Sequence, residues 1–364
     1  MREVIFIKQS GRFSYIIFVF AMALLLMLFA VLFPADTAES VRKGLRLCIE
    51  KVVPSLFLFL CAARLLAKSG IDRLFEKCKF LLTLFGVSPA GMTVIFTGFL
   101  CGYPSGASTA AELCKSGRMT AEEAGSLLPF TNCAGAAFLI GAVGNSMFGD
   151  TKAGVVLFIA QSVTSALLLT LTAPRRSARS ARAFPPPPPK NSTLKKEPGV
   201  AGAVASAVAE GGAALIPITA FVTFFRTVTD IAARFVKAPL ISSGICCICE
   251  ITCGLDSLSA NYPSEPLMTI ALASATVGFS GLSVMAQVFE RAIAANIKTN
   301  SYLAGKLVLS LAMAIISVPI YKVFYENDTK IAVILCLVLS LATIAHILRK
   351  KLSKRGRKMR NYDI

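Results

Sequence analysis

The sequence predicts an all-α, polytopic membrane protein. Three observations predict it: an apolar composition, a series of apolar runs near bilayer length, and helix breaks that fall inside apolar sequence. Of the 364 residues, 55% are hydrophobic, and the mean hydropathy is +0.68. That composition excludes an ordinary soluble globular chain. Runs approaching the roughly 20 residues that a helix needs to cross a bilayer are read at 13–33, 52–67, 80–101, 129–148, 153–173, 214–236, 267–293, 302–324 and 331–348. The run 239–253 is too short to span alone and reads as re-entrant, and 121–128 reads as a helix that dips in without crossing. Together they make about 8–10 transmembrane or re-entrant helices.

The chain divides by composition. Arg2, Lys8 and Arg12 precede the first apolar run. Pro34-Ala35-Asp36 after it is a poor cleavage site, so 1–37 is expected to be an uncleaved anchor with its N-terminus inside. The segment 174–199 carries Arg175, Arg176, Arg179, Arg182, Lys190, Lys195 and Lys196, with a five-proline run from Pro185 to Pro189. Such a run favours polyproline II and makes a stiff, solvated linker. Together with the basic tail 349–364 it supplies +13 of the net charge of +18. The positive-inside rule places both segments in the cytoplasm. Nucleic acid is not expected as a partner, because no aromatic residues interleave the tail charges. The resulting parts are the anchor, a first half at 38–173, the linker, a second half at 200–324, a last transmembrane helix within 325–348, and the tail.

The most informative break is 98–106, Gly-Phe-Leu-Cys-Gly-Tyr-Pro-Ser-Gly. Gly102, Pro104 and Gly106 cannot continue a helix at low cost. Broken backbone at membrane depth is tolerated only where protein buries it or a cavity adjoins it, and discontinuous helices build the sites of many secondary transporters. A helix starting beyond Pro104 would present free N–H groups and a partial positive charge. Tyr103, Ser105, Ser108 and Thr109 add polar atoms there. Thr120 with Glu123 reads as a capping box. Asn132, expensive in lipid, should face protein or a cavity.

The halves resemble each other weakly. Pro54 and Pro217 each sit near the start of an apolar run, with Arg64 and Arg226 following. The break at Gly98–Gly102 compares with Gly278-Phe279-Ser280-Gly281, and each leads to an acid, Glu112 and Glu290. Ser280, Ser283 and Gln287 then fall near one helix face. Glu250, within apolar sequence, could bind a coupling cation or carry a proton. Arg64 and Arg226 could pair with acids, hold an anionic substrate, or snorkel from span ends. The repeat closes topologically only if one segment between 80 and 150 is a hairpin that does not cross. The glycine break is the natural place for it.

Bland readings stand beside these. Small residues in membrane helices ordinarily serve close packing, and Ser or Thr often bonds its own helix. Cys246, Cys247, Cys249 and Cys253 include a Cys-x-x-Cys pair without a second pair, and the single histidine, His346, lies far off. They read as small apolar residues, and no metal or cofactor is expected. No phosphate loop, Ser-His-Asp set or zinc spacing appears, so no enzymatic role is expected.

The segments 98–106 and 108–114, Phe130-Thr131-Asn132-Cys133, and the run 278–287 (Gly-Phe-Ser-Gly-Leu-Ser-Val-Met-Ala-Gln) resemble the sporulation integral membrane protein YlbJ family. These proteins are similar to the nucleoside recognition, or Gate domain, proteins and distantly to concentrative nucleoside transporters. The resemblance covers roughly 40–170 and 200–320. It implies two Gate-like halves and a membrane protein of spore-forming bacteria, acting at the outer forespore membrane in cortex formation and in moving dipicolinic acid. On this reading a small anionic solute binds at Gly102, Tyr103, Pro104, Ser105, Gly106, Ser108, Asn132, Ser280, Gly281, Ser283 and Gln287. Arg64, Arg226, Glu112 and Glu250 are the candidate charge partners, and the coupling ion stays open. The other reading is a membrane scaffold for the spore envelope, with homo-oligomeric or sporulation membrane partners, or a Gate-type transporter of nucleosides or another solute.

Overall fold

The computed structural model describes residues 17–330, apart from 18, 69–74, 76, 181–198, 237, 261 and 329. The basic N-terminus, the proline run, the 331–348 run with His346, and the tail lie outside the described residues. Among the described residues every element is a helix. They are α1 (Val19–Leu32), then α2 (Pro34–Leu47), α3 (Val53–Lys68), α4 (Lys79–Phe85), α5 (Pro89–Cys101) and α6 (Ser105–Lys115). The first half continues with α7 (Ala121–Thr131), α8 (Ala137–Met147, wound as a π-helix) and α9 (Thr151–Ser180). The second half holds α10 (Val200–Phe235), α11 (Pro239–Cys249), α12 (Ile251–Ser259), α13 (Pro266–Phe279), α14 (Gly281–Ile293) and α15 (Tyr302–Tyr325).

Local chemistry explains the starts. Proline stands at the first turn of α2, α5, α11 and α13, where its missing N–H costs nothing. Ser88 caps α5, accepting from the Gly91 N–H at 3.0 Å. Thr120 caps α7 through the Glu123 N–H, as the sequence predicts. The Glu123 carboxylate, however, reaches across to α5, where it accepts from the Ser88 N–H at 2.7 Å and the Ser88 hydroxyl at 3.1 Å. The expected capping box is therefore also a tie between two helices.

Two kinds of break organise the fold. At Gly102 the chain turns back, and α5 and α6 pack side by side as a hairpin. A Cβ on Gly106 would lie 3.2 Å from the Gly98 Cα. At Glu250 the chain turns back again: Ser243 and Ser257 hydroxyls meet at 2.8 Å, and a Cβ on Gly254 would lie 2.6 Å from the Cys247 Cα. In contrast, α13 and α14 continue one another across Ser280 as a single span of 28 residues. The chain also continues from α7 through 132–136 into α8, running antiparallel to α9 along its length. Cys133 meets Ser165, Ala134 meets Gln161, and Gly144 meets Gly154.

Each half thus repeats one order: a wall helix (α3, α10), a hairpin (α5–α6, α11–α12), a broken helix (α7–α8, α13–α14) and a long helix (α9, α15). Asp150, at the start of α9, accepts hydrogen bonds from Tyr325 at the end of α15 and from Tyr262. The long helices are therefore antiparallel, and the two halves are inverted with respect to each other. This corrects the pairing of the breaks. Gly102 corresponds to the Glu250 turn, and 278–281 corresponds to 132–136. Similar glycine spelling had matched a hairpin tip to a bend in a span.

Among the described residues, four helices are long and apolar enough to cross a membrane: Thr151–Ala173, Val200–Phe235, Pro266–Ile293 and Tyr302–Tyr325. The count rises to six if α1 with the stretch Pro34–Ala62, bent by 107°, and α4 with α5, bent by 81°, are each one span. The expected runs 80–101 and 129–148 are accordingly not single helices. The first bends at Gly86, left-handed at the end of α4, and the second is cut by 132–136. The interior includes small and branched side chains, with Leu157, Ala160, Ile270 and Ala273 fully buried, as suits close helix approach in a membrane.

Candidate functional site

Both hairpin tips and both broken helices meet at one small cavity of about 30 Å³. The first half contributes Gly102, Tyr103, Gly135 and Phe138, and the second contributes Glu250, Thr252, Ser283 and Gln287. Val52 just before α3, Leu56 and Leu60 of α3, and Ile218 and Val222 of α10 form an apolar wall. At each break a helix begins (α6, α8, α12 and α14), so four helix N-termini gather around this point.

Gly102 has φ +71° and ψ −176°, a region that only glycine enters at low cost. A Cβ there would lie 2.4 Å from the Gly135 backbone nitrogen, so the hairpin tip rests directly on the first broken helix. The Tyr103 ring lies edge-on to Phe138, and its hydroxyl is buried without a hydrogen-bond partner. Glu250 is 2% exposed and caps α12, accepting from the Cys253 N–H at 2.7 Å.

Behind the cavity the breaks are stitched by polar side chains of the long helices. Gln161 of α9 accepts from the Ala134 N–H and donates to the Ala134 carbonyl, both at 2.8 Å. Lys306 of α15, fully buried, donates to the Asn132 carbonyl at 2.7 Å and to the Ser280 hydroxyl at 2.9 Å. It thereby joins the two breaks to each other. Asn132 donates to the Tyr302 hydroxyl at 3.1 Å.

Of the sequence candidates, Gly102, Tyr103, Glu250, Ser283 and Gln287 line the cavity. Asn132 and Ser280 sit behind it on Lys306, and Gly281 backs onto the Glu250 turn, where a Cβ would lie 3.1 Å from the Ile251 nitrogen. Pro104 is the residue before α6, Ser105 is buried, and Gly106 packs on the Thr131 carbonyl. Ser108 is half-buried on α6 outside the lining, and Glu112 is exposed. Arg226 pairs with Asp230 and Asp256. Arg64 is half-buried, with no carboxylate on it among the described residues. Cys246, Cys247, Cys249 and Cys253 form no disulfide, and among the described residues no cluster is arranged to hold a metal ion. Sequence reasoning passed over Gln161 and Lys306. Each is a lone polar residue inside an apolar run, which is itself the signal.

A third contact between the halves lies at the start of α9. Burial pushes the Asp150 carboxyl up, but the hydroxyls of Tyr262 and Tyr325 and the N–H groups of Lys152 and Ala153 outweigh it and hold it below the ordinary carboxylate value.

No family model matches the chain, and no solved structure matches it significantly. The chain is 26% identical over 330 residues to the sporulation integral membrane protein YlbJ of Bacillus subtilis (strain 168), across 80% of this chain and 79% of that protein. Over most of its length the chain is therefore similar to a sporulation integral membrane protein of the YlbJ family.

Proposed function

We propose that this protein is a transporter that moves a small organic anion, dipicolinate first, across the outer forespore membrane and so serves cortex formation and spore maturation. The observation that carries the reading is the convergence of two hairpin tips and two broken helices, from inverted halves, on one cavity. Inverted repeats with a site at their interface are the architecture of alternating access. The gathered helix N-termini favour an anion. The unpartnered Tyr103 hydroxyl is a donor awaiting an acceptor, and Glu250 is the group that carries a coupling proton or cation. The linker that follows α9, and the tail, lie in the cytoplasm under the positive-inside rule.

A cavity of about 30 Å³ holds little more than one water, whereas solute pockets are roughly 300 Å³ or larger. In this arrangement the cavity is too small to admit the solute. Solute enters when the α3–α10 wall parts from the hairpin tips. The small cavity is also the one observation that favours a non-transporting scaffold. Labelling of Ser283→Cys by a membrane-impermeant thiol reagent separates the two. A transporter exposes this position in some fraction of molecules and dipicolinate slows the reaction. A position inert under all conditions sinks the transport reading.

A further inference from the structure

Four partly buried charges that the site does not use gather close to its cavity. Lys51, just before α3, places Nζ 2.7 Å from Asp256 Oδ1. Arg226 of α10 places Nη1 3.6 Å from Asp256 Oδ2 and Nε 3.1 Å from Asp230 Oδ1. The four side chains are 23–29% exposed, so they form a rim and not a core. Each of the three elements also lines the cavity close by: Val52 next to Lys51, Val222 one turn before Arg226, and Thr252 one turn before Asp256. The two cations belong to the wall and Asp256 belongs to the α11–α12 hairpin. The ion pairs therefore clasp the seam that has to part for solute to enter.

We infer that Lys51 and Arg226 form a carboxylate-receiving pair at the cavity mouth, occupied in this closed arrangement by Asp256 as a built-in carboxylate. The inference rests on the transport reading and deepens it by naming the group that recruits the substrate. A carboxylate bridging an ammonium and a guanidinium is the contact an incoming dicarboxylate would make. Exchanging one carboxylate for another leaves both cations paired, whereas a neutral solute would leave Lys51 partly desolvated and unpaired, and Arg226 with Asp230 alone, as Asp256 withdraws. Arrival of an anion is thereby coupled to release of the hairpin. Asp230 stays on Arg226 one turn along the same helix, which holds the guanidinium in place while Lys51 provides the mobile arm.

The test is equilibrium binding of dipicolinate to the full-length protein in lipid nanodiscs, with pyridine-2,6-dicarboxamide as the uncharged isostere. Wild type is expected to bind dipicolinate and not the diamide. Asp256→Asn is expected to bind it about tenfold tighter, and adding Lys51→Gln to remove that gain, as fits a charge-assisted contact. If wild type binds dipicolinate but Asp256→Asn binds it no tighter, or Lys51→Gln no weaker, the inference is overturned while the transport reading stands. If no form binds dipicolinate, the dipicolinate reading itself is overturned and the carboxylate pair with it. Thiol labelling at Ser283→Cys needs no ligand: Asp256→Asn and Lys51→Gln should each accelerate it several-fold. Unchanged rates in both would refute the clasp.

Discussion

Replacing Gly102 by alanine tests the hairpin tip against a matched control. Gly102 and Gly117 have nearly the same positive φ, +71° and +70°. Their surroundings differ: a Cβ at 102 meets the Gly135 nitrogen at 2.4 Å and its Cα at 2.9 Å, while a Cβ at 117 meets nothing within 4 Å. The control therefore reports only the backbone term, about 1–2 kcal/mol for a left-handed alanine. Gly102→Ala adds overpacking against rigid backbone, typically about 1–3 kcal/mol, in a conformation whose own strain is about 1–3 kcal/mol. A loss of about 2–6 kcal/mol is expected, and the tip must lift from the first broken helix to relieve it. Reversible unfolding in mixed detergent, followed by circular dichroism, measures both variants. Equal losses at the two positions would refute the claim that the hairpin tip bears on the Asn132–Gly135 break.

Further outcomes follow from the polar stitches. Gln161→Leu leaves the buried N–H and carbonyl of Ala134 without partners, at about 1–3 kcal/mol for each group; the same unfolding assay should show a loss well above that of Thr172→Val, a half-buried position farther along α9. Lys306→Met removes a buried charge along with its two bonds. Folding is expected to survive, while solute uptake per folded molecule falls at least about tenfold because the two breaks are no longer joined. Asp150 ionises below the ordinary value near 3.8 when folded. Its contribution to stability is therefore complete above that value and is lost as pH falls through the lower folded value. Tyr262→Phe should flatten the acid side of the thermal-midpoint profile, and an unchanged acid limb would remove the Asp150 contact from the account. Ser283→Cys should react with water-soluble thiol reagents and Ser105→Cys should not, because only the first lines the cavity.

Much of this architecture was legible in residue types whose cost in lipid is large. Gly102 and Pro104 mark a break because no helix passes through them cheaply, and the structure breaks there. Asn132, Glu250, Ser283 and Gln287 were found because polar groups inside apolar runs need a reason. The distinction between turning back and bending was not legible. Gly98–Gly102 and Gly278–Gly281 spell alike, yet one closes a hairpin and the other lies in a single span, because the neighbours decide. Thr131 leaves no room beside Gly98, where a Cβ would sit 1.8 Å from its carbonyl oxygen, and Ser310 crowds Gly278 from α15. Those contacts are non-local, so periodicity along the chain carries no trace of them. The same holds for Arg226, whose partner Asp256 lies on another element.

The most direct measurement is uptake of dipicolinate into vesicles carrying the purified protein, with and without a proton or sodium gradient. The inverted halves and their shared cavity predict saturable uptake that Gly102→Leu and Lys306→Met abolish although both variants still insert. No uptake by wild type under any gradient, or full uptake by Gly102→Leu, would contradict the account.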